Sequence, residues 1–97
     1  MATFITLVNY TQQGIENIKE SPARLDAAKA AFRAAGAEIK DFYLVLGRYD
    51  IVLIAEGPDA ETAAGLALAI GSQGAVRTET LRAFTEEEYR KIIAALP

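Results

Sequence analysis

Two short runs constrain this chain more than anything else in it. Residues 42–46 read Phe-Tyr-Leu-Val-Leu and residues 51–55 read Ile-Val-Leu-Ile-Ala, with a few polar residues between them. Each run is short, is rich in β-branched and aromatic residues, and is apolar at odd and even positions alike. Side chains of a strand alternate between the two faces of its sheet, so strands apolar at both parities belong to a sheet covered on both sides. Strands are expected over residues 39–46 and 49–56. Gly47-Arg48 between them is short enough for a tight hairpin, with Gly47 free to take the positive φ that such turns demand.

The rest of the chain supplies the partners of this hairpin. Residues 2–10 carry Phe4, Ile5, Thr6, Leu7 and Val8 and form a first strand. Residues 11–20 are polar, contain Gly14, and space Ile15 and Ile18 for one helical turn, which fits a short helix or a turn. Ser21-Pro22 starts a helix, with Ser21 as cap and Pro22 where no hydrogen bond is lost. That helix runs to about residue 35, with Leu25, Ala28, Phe32 and Ala35 on one face, and Gly36 ends it. Gly57-Pro58-Asp59 opens a second helix that ends around Gly71 or Gly74. A last strand follows over residues 75–84. Thr85 and Glu88 then have the spacing of a capping box, and Phe84 and Tyr89 flank it at the positions of a hydrophobic staple. Tyr89, Ile92, Ile93 and Leu96 give the final helix an apolar face. The order is α+β: a ferredoxin-like βαββαβ unit with a C-terminal helix, in one domain spanning residues 1–97.

Such a sheet has helices on one face only, yet the hairpin strands are apolar on both. The second helix is also apolar or small almost all round from Ala63 to Ile70. At 97 residues and 52% apolar, the chain has more apolar surface than one small domain can hide. Two sheets packed face to face in a homodimer would hide it. The alternatives are that the C-terminal helix folds over the open face, or that the chain tends to aggregate.

Composition narrows the chemistry. Without Cys there is no disulfide, thiolate nucleophile or iron–sulfur cluster; without His the usual neutral-pH base and nitrogen ligand are missing. No metal site and no cofactor are implied. A net charge of −3, with dispersed Lys and Arg, argues against a nucleic-acid surface. The longest apolar stretches fall far below the ~20 residues that span a bilayer, and no export signal is evident, so no membrane partner and a cytoplasmic location are expected.

Three separated stretches resemble the GYD domain family: Gly47-Arg48-Tyr49-Asp50-Ile51-Val52, the strand from Arg77 through Leu81 to Thr85, and the segment from Tyr10 through Gly14 to Lys19 with Ser21, Pro22 and Arg24 after it. Arg48 stands between Gly47 and Tyr49, so Gly-Tyr-Asp is not contiguous here. The resemblance implies a small bacterial or archaeal domain of the dimeric α/β-barrel type and implies no reaction. Relatives by fold include cofactor-free oxygenases, haem-handling proteins and isomerases, so the fold does not choose among them.

Seven residues are candidates for a ligand site. Arg48, Tyr49 and Asp50 combine a guanidinium, a phenol and a carboxylate, although the same residues suit plain hairpin chemistry. Thr78, Thr80 and Arg82 share one face of the last strand, with Arg82 as a fork for a carboxylate or phosphate. The other account of that row is an edge strand guarded by a charge, or a cross-subunit ion pair with Glu79, Glu56 or Asp50. Asn9 can bond a ligand or merely satisfy a turn. The favoured function is a homo-oligomer holding a small molecule, an anion being one option, between sheet and partner. A cofactor-independent enzyme and a purely assembling module are the alternatives.

Overall fold

The computed structural model describes residues 1–97. Strands β1 (Ala2–Tyr10), β2 (Glu38–Leu44), β3 (Ile51–Gly57) and β4 (Val76–Ala83) form one antiparallel sheet in the order β2-β3-β1-β4. Helix α1 (Gln12–Glu16) and a 3-10 turn (Ile18–Glu20) lead into α2 (Ser21–Ala34). Helix α3 (Ala60–Ser72) joins β3 to β4, and α4 (Glu86–Ala94) follows β4. The fold is the expected ferredoxin-like α+β arrangement, and it follows from the alternation along each strand. Val8 of β1 and Ile51, Leu53 and Ala55 of β3 turn to one side and pack with Phe32 of α2 and Leu66 of α3, and Phe4 of β1 is buried on the same side. Their neighbours Ile5, Leu7, Val52 and Ile54 turn to the other side, which no helix covers, and none of them is buried.

Local chemistry fixes the ends. Asp59 caps α3 by accepting from the Thr62 N–H at 2.7 Å. The capping box of α4 is complete: the Glu88 N–H donates to Thr85 Oγ1 at 3.1 Å, and the Thr85 N–H donates to Glu88 Oε1 at 2.9 Å. Ser21 does not cap α2 as expected. Its hydroxyl is drawn instead to the Tyr10 phenol, 3.0 Å away.

Three expectations need revision. The hairpin is longer than a two-residue turn: β2 ends at Leu44, β3 starts at Ile51, and Val45 closes on the Asp50 carbonyl at 2.9 Å, leaving residues 46–49 as the loop. Tertiary bonds account for this. The Asp50 N–H donates to the Val8 carbonyl at 2.9 Å, its carboxylate accepts from the Tyr10 N–H at 2.9 Å, and Tyr49 reaches Glu79. These contacts bind residues 49 and 50 to the sheet and β1, and Gly47 keeps its positive φ of 104°. Helix α3 is not hidden all round within the subunit, since Ala64, Gly65 and Leu68 face outward and Leu68 is 75% exposed. Nor does α4 fold over the open face of its own sheet. Its apolar face is unpartnered, with Tyr89 57% and Leu96 61% exposed.

Because α4 lacks packing, its cap carries unusual weight. The Thr85 N–H bond holds the Glu88 carboxyl below its ordinary value of 4.5, helped by the Thr85 side chain and the Arg82 charge. Bonds from the Thr62 backbone and side chain hold Asp59 below its ordinary 3.8. A depressed carboxyl stabilises the fold above its unfolded-state value and loses that contribution as pH falls through the folded value. Carbon-13 detected titration should therefore place Asp59 below 3.8 and Glu88 below 4.5, with α4 amide protection fading over the same acid range. Titration of Glu88 at or above 4.5 would show that the box is open in solution.

Candidate functional site

The seven candidate residues do not form a single site. Thr78, Thr80 and Arg82 lie opposite Val8, Thr6 and Phe4 in the β1–β4 register. They therefore share the helix-covered side of the sheet and do not face a partner across the open side. Thr80 Oγ1 is 3.3 Å from Thr6 Oγ1, and Thr6, Thr78 and Thr80 floor a cleft of about 150 Å³ between the sheet and helices α2 and α3.

Arg82 sits at the corner of the sheet and is fully engaged within the subunit. Its guanidinium lies 4.4 Å from the centre of the Phe84 ring and 5.7 Å from that of Phe4. It donates to the carbonyls of Thr3 and Ala83 and approaches the Glu88 carboxylate at 3.9 Å. Within the subunit its ion pair is thus made with Glu88, one helical turn into α4. Arg82 joins the root of α4 to β1.

Asn9 and Tyr49 do come together. With Leu7, Arg77 and Glu79 they line a shallow polar depression on the open face, and the Tyr49 hydroxyl donates to Glu79 Oε1 at 3.1 Å. The Asn9 carboxamide and the Arg77 guanidinium can donate to an acceptor there, while the single Tyr49 proton is committed to Glu79. Arg48 stands exposed in the loop above β3. Asp50 is half-buried, and its bond to the Tyr10 N–H lengthens the pairing of β1 beyond the end of β3; that is a structural duty.

Reading the sequence missed a clamp between two distant segments. Thr11 caps α1 by accepting from the Gly14 N–H, while its hydroxyl donates to the Gly74 carbonyl and its N–H donates to the Ala75 carbonyl at 3.0 Å. Gln13 adds a bond to the Gln73 carbonyl at 3.2 Å. Gly14 is buried, and a β-carbon there would run into the Ala75 carbonyl oxygen. The Tyr10–Lys19 stretch that carries part of the resemblance therefore fastens α1 to the loop before β4. A glycine inside a helical turn was its one visible signal.

A four-strand antiparallel sheet with helices on one face and an apolar, uncovered second face defines a small ferredoxin-like α+β domain. The chain belongs to the GYD domain family, whose pattern matches residues 4–93. It is 38% identical over 84 residues, 86% of this chain and 88% of the other, to a Thermus thermophilus protein named glutamine synthetase and cystathionine beta-lyase binding protein. Among solved structures it is similar to TTHA0845 of Thermus thermophilus, with 28% identity and a TM-score of 0.56, covering 88% of this chain and 95% of that one. The leucine response regulatory protein LrpA of Mycobacterium tuberculosis gives a TM-score of 0.66 at 18% identity over 87% of this chain, which spans 51% of that regulator. The dehydrochlorinase TftG of Burkholderia phenoliruptrix AC1100, solved with 2,5-dihydroxybenzoquinone, gives 0.60 at 16% identity over 90% of this chain and 97% of that one. At such identities the last two show a shared fold and nothing more.

Proposed function

We infer that this chain is a homo-oligomeric protein-binding domain whose subunits pair through the open faces of their sheets, in the manner of a dimeric α/β barrel. One observation carries the pairing. Ile5 lies between Ile54 and Leu81 in register, Leu7 lies beside Val52, and Val52 lies beside Tyr43, so these six residues form one continuous apolar surface. Asn9, Asp41, Glu56, Arg77 and Glu79 surround it with polar groups. An apolar centre inside a polar rim is the anatomy of an interface. The unpartnered apolar face of α4 adds surface that a second subunit can cover.

The name of the Thermus relative supports a second role, binding of other proteins, with a metabolic enzyme as the partner. A small ligand fits this reading at the seam between sheet and partner. There Asn9 would donate to it and Arg77 would balance a negative charge. Sedimentation equilibrium at micromolar concentration should give a multiple of the 10.4 kDa chain mass. A mass of one chain across that range would remove the pairing.

A further inference from the structure

The helix-side cleft lies on the opposite face from the pairing surface, and its composition is unusual for a gap between layers. Three quarters of its lining is apolar, and Arg24 is the one charged residue in it. Its position follows from the sequence. The buried cluster of Phe32, Ile51, Leu53 and Leu66 holds α2 and α3 at a fixed height over β3. Beside it, over β1 and β4, both walls carry short side chains. Ala28 and Ala31 of α2 and Ala63 and Ala67 of α3 stand above Thr6, Thr78 and Thr80. Close-packed interiors do not ordinarily leave such space, because each missing contact costs dispersion energy. An apolar cavity of about 150 Å³ lined by aliphatic and aromatic side chains is large enough for a molecule the size of benzene.

Beside the threonines of the floor, three polar side chains, Tyr10, Ser21 and Arg24, line the cleft where β1 finishes and α2 begins. The Tyr10 and Ser21 hydroxyls bond each other at 3.0 Å. Arg24 is half-buried and held in place: Nη1 donates to the Asn17 carbonyl at 3.1 Å and Nη2 to the Gly14 carbonyl at 3.5 Å. Glu20, exposed and 3.8 Å away, neutralises it only in part. A guanidinium has five N–H donors, so Arg24 keeps donors to spare beyond these bonds.

From this arrangement we propose that the cleft binds a small monocarboxylate with an aromatic or branched aliphatic body. The carboxylate faces Arg24, Tyr10 and Ser21, and the body lies against Val8, Leu66 and Ile70 over the threonine floor. Size sets the body, and the single fixed cation at one end sets the head group. The site lies wholly within one subunit, so it does not depend on the pairing proposed above.

The test is titration of the ¹⁵N-labelled full chain with 3-phenylpropionate, and with 3-phenylpropanamide as its uncharged counterpart. Saturable shifts are expected in α2, α3 and residues 6, 78 and 80, with the open face unmoved. Arg24→Gln should weaken the carboxylate at least tenfold and leave the amide unchanged, and Arg24→Lys should recover part of the loss. Ala67→Leu, which fills the cleft, should abolish binding of both and raise Tm. Ile54→Glu, on the opposite face, should bind like the parent chain even where it is monomeric. No saturation by either probe at millimolar concentration would overturn the proposal. So would shifts confined to the open face, or equal weakening of both probes by Arg24→Gln.

Discussion

Ile54→Glu should leave a folded monomer where the parent chain is an oligomer. Ile54 is at the middle of the open face, with Ile5 beside it on β1 and Asp41 beside it on β2. It is half-exposed in the subunit and contributes nothing to the buried cluster on the other side. A carboxylate there is tolerated by one subunit in water. It is costly once a second sheet covers it, because an unpaired charge loses its solvation. A penalty of about 4 kcal/mol weakens the dimer roughly a thousandfold. Light scattering should show the mass fall to that of one chain, while circular dichroism stays the same. An oligomer that persists in Ile54→Glu at low micromolar concentration would place the interface elsewhere, with α4 the next surface to test.

The largest expected loss of stability comes from Gly14→Ala. Two effects oppose each other. Alanine is favoured over glycine inside a helix by about 1 kcal/mol, and Gly14 lies inside α1. Against that, the new methyl would stand under 3.0 Å from the backbone oxygen of Ala75, which cannot rotate aside as a side chain can. Forcing a methyl into a packed site costs about 1–3 kcal/mol and more where backbone must move. The clash prevails, and a net loss of about 2 kcal/mol corresponds to a fall in Tm of roughly 8–16 °C for a domain of this size. Urea unfolding should show a lower midpoint with the slope unchanged. A variant as stable as the parent would mean that α1 is not seated on the loop before β4.

How legible each part was follows from the range of the forces involved. The α4 capping box could be read directly, since Thr85 and Glu88 are three residues apart and both bonds are local. The order of helices and strands along the chain could be inferred, and with it a ferredoxin-like arrangement, because such a succession permits few topologies. The hairpin length could not, since it depends on bonds from Asp50 to Val8 and Tyr10, some forty residues away. Thr78, Thr80 and Arg82 were correctly placed on one face of β4. Alternation does not say which face, and with β2 and β3 apolar on both sides nothing in the pattern decided it. The cleft was invisible for a further reason. It is formed by short side chains on four elements that touch only after folding, and single alanines carry no sign of it. Arg24 is fixed only by carbonyls of Gly14 and Asn17, which the end of α1 brings beside it.

The β1–β4 pairing has a consequence for synthesis of the chain. Thr3 pairs with Ala83 and Tyr10 with Val76, so β1 meets its second neighbour only when residues 76–83 have been made. Until residues 76–83 emerge, β1 has one free edge, and the apolar residues of its outward face lie next to that edge. A bare strand edge beside apolar surface recruits other strands. The growing chain is therefore open to misassociation until β4 has been made and paired.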